Sequence, residues 1–265
     1  MIDAKENKAF TKKINDNSLK KFSKDIQKYT AIILIALIII YIFTKSSNNM
    51  RYDLILNEYP SLIRAFLTTI FISTITLFIS IISGFLFFLG MKSSNQFIHT
   101  LTNVLKEIIM GTPLLVMIFL VVYVLGIKIN IHNKMFLGIL SLVFYMTPYI
   151  ANAYDTASSV VNKDQHTVMK LYHFTTWQKY RYIIIPQMIR PIIPSIINNL
   201  SSIIKGSALL KIISVTEISY LITVISNKSY AAIEGYLVMW IMYLCITIPL
   251  SLLANHLGRR YGYEN

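Results

Sequence analysis

Long runs of apolar residues constrain this chain more than any other feature. Five long runs and one short one are visible, at residues 29–44, 61–90, 108–127, 135–154, 183–204 and 236–257. Crossing the hydrocarbon core of a bilayer takes about 20 consecutive apolar residues in a helix. Hydrophobic residues make up 55% of the 265 residues and charged residues only 14%, which is typical of a polytopic membrane protein. The chain is therefore predicted to be an all-α membrane protein.

The distribution of positive charge predicts the orientation of the spans. The formal net charge is +13, and eight lysines precede the first apolar run. Lysines beside an apolar run favour the cytoplasmic side of a membrane, and no folded basic module accompanies them, so we do not expect nucleic-acid binding. The prediction is a basic cytoplasmic tail at 1–28, an uncleaved anchor at 29–44, six spans in all and a cytoplasmic C-terminus at 259–265.

The sequence lacks the residue patterns that nucleotide binding, metal binding and catalysis need. No glycine-rich stretch followed by Lys and Ser or Thr is present, so no nucleotide site is expected in this chain. The five histidines lack metal-ligand spacing, and Cys245 is the only cysteine, which rules out a disulfide within one chain. No nucleophile with a base and an orienting group can be named. We therefore predict no metal, no catalytic residue and no enzyme activity.

The loop at residues 155–181 carries the most informative pattern outside the spans. Asn162 is predicted to cap a helix, with Gln165 as its capping-box partner. One face of that helix is apolar, and a second helix, capped by Thr175 or Thr176, leads into the next span, where three prolines follow. The apolar face is made of Val168, Leu171, Tyr172 and Thr175. From the pattern alone, a helix resting on lipid headgroups fits as well as a helix that binds a protein.

Three motifs in the chain together resemble one family. They are "NKDQ" with "TTWQKYRYIIIPQMIRPIIPS" in the loop and after it, "GTPLL" at 111–115, and "KGSALLKIISVTEI" at 205–218. In their order and spacing along the chain they resemble permease subunits of type I ATP-binding cassette importers, most closely the polar amino acid branch. The resemblance covers 61–258 and implies a five-span core, to which 29–44 adds one N-terminal transmembrane helix.

The resemblance implies that the loop couples transport to a separate ATPase subunit through residues 163–178. That partner would bind ATP and Mg²⁺, so no cofactor is expected in this chain. The residues that match the family's loop pattern or lie on its contact face are Lys163, Gln165, Val168, Lys170, Leu171, Trp177 and Pro186.

The resemblance also implies a transport route shared between two permease subunits. Charged residues at membrane depth are functional candidates by default. The candidates are Gly111, Thr112, Pro113, Lys205, Lys211 and Glu217. Two other readings stay open: the charged segment has already left the membrane, and the glycine motif serves helix packing.

The chain departs from the family pattern at the centre of the loop. The family usually has Glu, Ala, Ala and, four residues on, Gly, whereas this chain has Thr167, Val168, Met169 and His173. Either the partner ATPase has a reshaped groove, or the other half of a heterodimer carries the regular loop. Gly206 also replaces the family's Asp after Lys205, which argues weakly against Lys or Arg as the substrate.

The resemblance leads to a functional prediction. The chain is expected to be a multi-pass permease of the bacterial cytoplasmic membrane that imports a polar amino acid. Its expected partners are ATPase subunits, a second permease subunit in a homo- or heterodimer, an extracellular substrate-binding protein and the lipid bilayer. Alternatives are an importer permease for a peptide, methionine or another small solute, and a non-transporting scaffold or sensor.

Overall fold

The computed structural model describes residues 50–261 and six single positions before them. Those six positions, all helical, are Gln27, Thr30, Ile33, Leu34, Leu37 and Tyr41. The rest of the predicted tail and anchor, and residues 262–265, lie outside the described residues, so the predictions for 1–28 and 29–44 are left standing. Residues 52–265 form one compact unit, and the description below concerns that unit.

Helices account for all regular structure between residues 52 and 261. They are α1 (Asp53–Leu56), α2 (Tyr59–Met91), α3 (Gln96–Gly111), α4 (Leu114–Phe119), α5 (Lys134–Ser158), α6 (Lys163–Leu171), α7 (Thr176–Gln178), α8 (Ile185–Ser207), α9 (Ile218–Ser229) and α10 (Ala232–Tyr261). Two π-helical segments and one 3₁₀ segment continue them. Leu120–Gly126 extends α4, Lys179–Ile184 joins α7 to α8, and Ala208–Ile213 extends α8.

Between residues 50 and 261, four continuous helices are long and apolar enough to cross a membrane. They span Tyr59–Met91, Lys134–Ser158, Thr176–Ile213 and Ala232–Arg260. Each contains one predicted apolar run, respectively 61–90, 135–154, 183–204 and 236–257. The all-α membrane fold is therefore confirmed.

The remaining run of the core, 108–127, was predicted as one span, and the structure shows that it lies across a sharp bend. The helix α3 ends at Gly111, α4 begins at Leu114, and the axes on either side of the break differ by 108°. Thr112 is extended, with φ −90° and ψ 126°, because the following proline disfavours helical geometry in the residue before it. The bent pair is a broken span or a re-entrant segment, so the described core has four continuous spans, or five if the bent pair is one span.

Small side chains let α2 and α5 pack closely. The buried face of α2 includes Thr69, Ser73, Thr76, Ser80 and Gly84. A Cβ added to Gly84 would lie 2.8 Å from Cγ2 of Ile150 on α5. Ser83 directly precedes Gly84, and Thr147 lies one turn before Ile150. Their hydroxyls are 2.8 Å apart and share a hydrogen bond. This seam holds the centre of the bundle together.

Three further buried clusters place the remaining helices. One joins α2, α4, α5 and the end of α8, around Ile118, Leu142 and Leu210. A second joins the end of α5 to α6 and the start of α8. A third joins α1, α2, α9 and α10 around Leu62 and Ile222. The segment at 207–235, which lies between two apolar runs, thus folds mainly as a 3₁₀ turn and the packed helix α9.

Candidate functional site

The start of α6 follows the sequence prediction in part. Asn162 caps the helix, with Oδ1 accepting a 3.2 Å hydrogen bond from the backbone N–H of Asp164. The predicted capping box is wrong, because Gln165 bonds elsewhere. Its Oε1 accepts a 2.9 Å hydrogen bond from Nε2 of Gln187, which lies on α8. Gln165 therefore ties the loop helix to the next long helix.

Met169 anchors α6 to the bundle. It is only 4% exposed and packs among Ala157, Val161, Ile184 and Met188. On the other side of the same helix, Leu171 is 71% exposed, and Val168 and Tyr172 are exposed as well. The helix is thus held by one buried side and presents the predicted apolar face outward.

The break after α6 is a regular helix stop built on an unusual residue. His173 has a left-handed backbone with φ 50°. Its N–H bonds to the carbonyl of Lys170 at 3.1 Å, and the N–H of Phe174 bonds to the carbonyl of Met169 at 3.0 Å. These two bonds define a Schellman motif, in which glycine usually occupies the left-handed position. Histidine is among the few other residue types enriched in this conformation.

The second helix begins at the residue that the sequence indicated. Thr175 caps α7 in a complete capping box with Gln178, with hydrogen bonds of 3.3 Å and 2.9 Å. Trp177 is 63% exposed and stands edge-on to Tyr182, with ring centroids 5.5 Å apart. Pro186 is exposed directly after the π-helical segment. From Thr176 onward, the second loop helix and the span therefore form one continuous helical path.

Basic side chains gather on the remaining face of the loop. Lys170 is exposed, and Lys163 begins α6 although its side chain is outside the described part. Partial burial lowers the pKa of His166 below the usual value, and the positive charges of Lys179, Lys170 and Lys92 lower it further. The loop therefore combines an apolar outer face with a positively charged side.

An ion pair at this end of the bundle was not predicted from the sequence. Nζ of Lys92, just after α2, lies 2.6 Å from Oδ1 of Asp155 on α5. Lys92 follows the C-terminal end of α2 and Asp155 lies in the last turn of α5, and opposite charges at the ends of these two runs were the available signal. The pair fixes the end of α2 beside the start of the loop.

The two remaining motifs meet in space. A Cβ added to Gly206, on α8, would lie 2.9 Å from Cδ2 of Leu114, the first residue of α4. The bend at Gly111, Thr112 and Pro113 therefore stands next to the end of α8. There Lys205 is exposed, and Lys211 is half-buried in the 3₁₀ segment.

Two tyrosines near this bend were missed from the sequence. The hydroxyl of Tyr149 donates a 3.2 Å hydrogen bond to that of Tyr145 one turn earlier on α5. On the next turn, Nδ2 of Asn152 donates to Sδ of Met110 at 3.5 Å. Polar residues at i, i+4 and i+7 in an apolar helix were the signal that could have found them.

Glu217 lies in the interior of the bundle. It is fully buried and caps α9, with Oε1 accepting a 2.9 Å bond from the N–H of Tyr220. Beside it, Oγ1 of Thr69 accepts a 3.2 Å bond from the N–H of Ile218. The structure thus brings Lys205 together with the 111–113 bend and gives Glu217 an interior position. Its role in the transport route stays a prediction.

Comparison with known proteins places this geometry among transport proteins. Residues 84–263 match the family model described as "Binding-protein-dependent transport system inner membrane component". "Probable amino-acid permease protein YxeN" of Bacillus subtilis is 27% identical over 211 residues, covering 78% of this chain and 94% of the relative. "Probable glutamine ABC transporter permease protein GlnM" of the same organism is 28% identical over 157 residues, covering 58% and 71%.

A solved structure has the same fold, and the match covers nearly the whole length of that structure's chain. It is described as "Crystal structure of an amino acid ABC transporter with histidines", and it superimposes with a TM-score of 0.72 at 23% identity. The match covers 80% of this chain and 99% of that one. The likeness shows that the bundle has the same fold as that chain.

Proposed function

The chain belongs to the family of inner membrane components of binding-protein-dependent transport systems, and on that premise we propose that it is the permease subunit of an ATP-driven importer for a polar amino acid. One observation carries the proposal. The helix α6 is fixed to the bundle through Met169 and Gln165 while its apolar residues Leu171 and Tyr172 stay exposed. A helix so arranged is rigid on one side and free to bind on the other.

The exposed face of the loop is assigned to a separate ATPase subunit. Protein contacts are centred on aromatic and apolar anchors, and Leu171, Tyr172 and Trp177 supply three such side chains on adjoining helices. ATP and Mg²⁺ bind to that subunit, and hydrolysis takes place there. Val168 and Lys170 border the same contact, and Lys163 and Pro186 mark its two ends.

Coupling follows the connections between the loop and α8. A displacement of α6 acts on α8 through the hydrogen bond from Gln187 to Gln165 and through Met169 packed on Ile184 and Met188. The far end of α8 contacts Leu114 through Gly206, next to the bend in the broken pair. Movement of the loop thereby reaches Gly111, Thr112 and Pro113, which we assign to the transport route.

The route is completed by a second permease subunit. Lys205 is exposed beside the bend, and Lys211 is half-buried one 3₁₀ segment later. Charged groups at membrane depth mark substrate pathways more often than structural positions. An extracellular binding protein delivers the substrate to this end, and both chain termini lie in the cytoplasm.

Support for a polar amino acid as the substrate comes from the relatives. Two of them carry names that refer to amino-acid or glutamine transport. An importer of methionine, a peptide or another small solute uses the same fold and is the second candidate. A non-transporting scaffold receives no support from the packed and capped loop.

Reconstitution tests the proposal directly. The full chain is placed in liposomes with its cognate ATPase and binding protein, and uptake of labelled glutamine, histidine, arginine, methionine and a dipeptide is compared. ATP-dependent uptake of a polar amino acid is expected. Uptake of methionine or the dipeptide alone moves the chain to the second candidate, and a complex that hydrolyses ATP without moving any of the five contradicts the proposal.

A further inference from the structure

A basic cleft opens between α6 and the segment that follows it. Its volume is about 340 Å³, and Met169 lies at its buried side. The basic side chains that line it are His166, Lys170, His173 and Lys179, and Thr176 adds a hydroxyl. Within the described part of the chain, no acidic residue lines it. Side chains from two separate helical segments thus direct the same sign of charge into one space.

The two lysines of the cleft form no ion pair within the described residues. Neither Lys170 nor Lys179 pairs with a carboxylate among residues 50–261. The nearest candidate acid along α5, Asp155, is already held by Lys92 at 2.6 Å. Burial lowers the pKa of His166, and the positive charges of Lys179, Lys170 and Lys92 lower it further. Three lysines therefore act electrostatically on that imidazole. Like charges gathered around a cleft repel one another unless an anion joins them.

Two simpler explanations account for part of the cluster only. A preference for positive loops in the cytoplasm is satisfied by lysines anywhere in the loop. A favourable helix dipole explains Lys170, which is in the last turn of α6, and leaves Lys179 unexplained. Neither explanation requires two histidines and a threonine to share the cleft with both lysines.

We infer that this cleft binds a phosphate group, carried either by an anionic phospholipid or by inorganic phosphate. Lysine ammonium groups supply compact positive charge, and the imidazoles and the Thr176 hydroxyl supply hydrogen-bond donors to oxygen. A tetrahedral phosphate has acceptor oxygens on all sides, which suits donors that converge from two helices.

A bound phosphate would bridge the break in the loop. Lys170 precedes the left-handed His173, and Lys179 follows it, so one anion contacts both arms of the turn. The loop would then be held in its docked shape more firmly in membranes rich in anionic lipid. This inference concerns the loop's side facing the cleft and is independent of which solute the transporter carries.

The test uses the purified full chain in detergent and in nanodiscs. Retention of phosphatidylglycerol is measured by native mass spectrometry, and binding of inorganic phosphate is measured by calorimetry. The double variant Lys170→Gln with Lys179→Gln should lower binding of the phosphate source by roughly tenfold. A matched control, Lys128→Gln with Lys134→Gln, removes the same charge near the start of α5 and should change binding less than twofold.

The outcomes separate the sources and the alternatives. Retained phosphatidylglycerol that inorganic phosphate does not displace identifies the lipid, and calorimetric binding of phosphate alone identifies the free ion. Lys170→Arg with Lys179→Arg preserves the charge and should keep binding, which controls for misfolding. Equal losses in the double variant and the matched control, or no loss in either, overturn the inference. So does a double variant that binds both probes normally and loses only the ATPase, since acidic ATPase residues would then fill the cleft.

Discussion

The hydroxyl of Tyr243, on α10, donates a 2.6 Å hydrogen bond to Oε2 of the fully buried Glu217. The other carboxylate oxygen accepts from the N–H of Tyr220 in the first turn of α9. One side chain thus caps a helix and joins it to the next. Glu217 therefore holds α9 against α10, and we predict that it acts on transport through this positioning.

Replacing Glu217 tests this positioning role. Glu217→Gln keeps an acceptor for the N–H of Tyr220 but loses the charge that strengthens the bond from Tyr243. We expect slower transport by a complex that still purifies intact, and Tyr243→Phe should show the same defect. Glu217→Ala leaves buried donors unpaired and should destabilise the chain by about 1–3 kcal/mol, measured by thermal unfolding in detergent. Normal transport by Glu217→Gln would remove Glu217 from the functional residues.

The seam between α2 and α5 can be tested at Gly84. An added Cβ would come within 2.8 Å of Cγ2 of Ile150 and 3.2 Å of the carbonyl oxygen of Thr147, so the helices must separate. Gly84→Ala should lower stability by about 1–3 kcal/mol despite the better helix propensity of alanine. Gly111→Ala is the matched control, because nothing lies within 4 Å of a Cβ there. Equal melting temperatures for the two variants would contradict the close approach.

Apolar runs predicted four of the spans because lipid imposes a simple rule on backbone hydrogen bonds. The broken pair was missed for a local reason, since the run 108–127 is apolar on both sides of Pro113 and hydropathy alone does not register a bend. The proline was visible in the sequence, and the residue before a proline favours an extended backbone. What they could not give was the angle of 108°, which depends on how α4 packs against α5.

At the site, local signals succeeded and long-range ones failed. Asn162 and Thr175 were read as caps because a cap involves residues two or three positions apart. Gln165 was misread, since its partner, Gln187, is 22 residues away and belongs to another helix. The ion pair of Lys92 with Asp155 and the burial of Met169 are likewise products of tertiary packing.

The topology gives a prediction about the two chain ends. We predict six spans with both ends in the cytoplasm, because the lysine-rich tail and the final arginines favour that side. Cysteines introduced at Lys5 and Asn265, with the exposed Cys245 replaced by serine, should be protected from impermeant thiol reagents in intact cells. Both should react after the membrane is permeabilised. Labelling of either in intact cells would overturn the arrangement.

The outer face of α6 should be sensitive to charge and to volume. Leu171 is 71% exposed in the single chain and lies at the centre of the proposed ATPase contact. Leu171→Glu should abolish substrate-stimulated ATP hydrolysis by burying an unpaired charge, and Leu171→Met, of similar volume, should largely preserve it. Val168→Leu should have a smaller but measurable effect, because close-packed interfaces respond to one methylene. Normal stimulation with Leu171→Glu would mean that the helix rests on lipid.

The two unusual loop residues, Met169 and His173, should respond in opposite directions to family-like changes. His173 holds φ 50°, where glycine avoids a steric penalty, so His173→Gly should stabilise the end of α6 by about 1 kcal/mol. Met169 is 4% exposed among the side chains that join the loop to α8, so Met169→Ala should leave a cavity and cost about 2–5 kcal/mol.

The loss at Met169 exceeds the gain at His173, so the double variant should be less stable than the natural chain and couple less well. Thermal unfolding and substrate-stimulated ATP hydrolysis of the reconstituted complex measure the two effects. His173→Asn is the control, since asparagine tolerates the left-handed conformation and should leave both measurements close to those of the natural chain. If the double variant instead couples as well as the natural chain or better, Met169 is not an anchor and the loop has merely drifted from the family pattern.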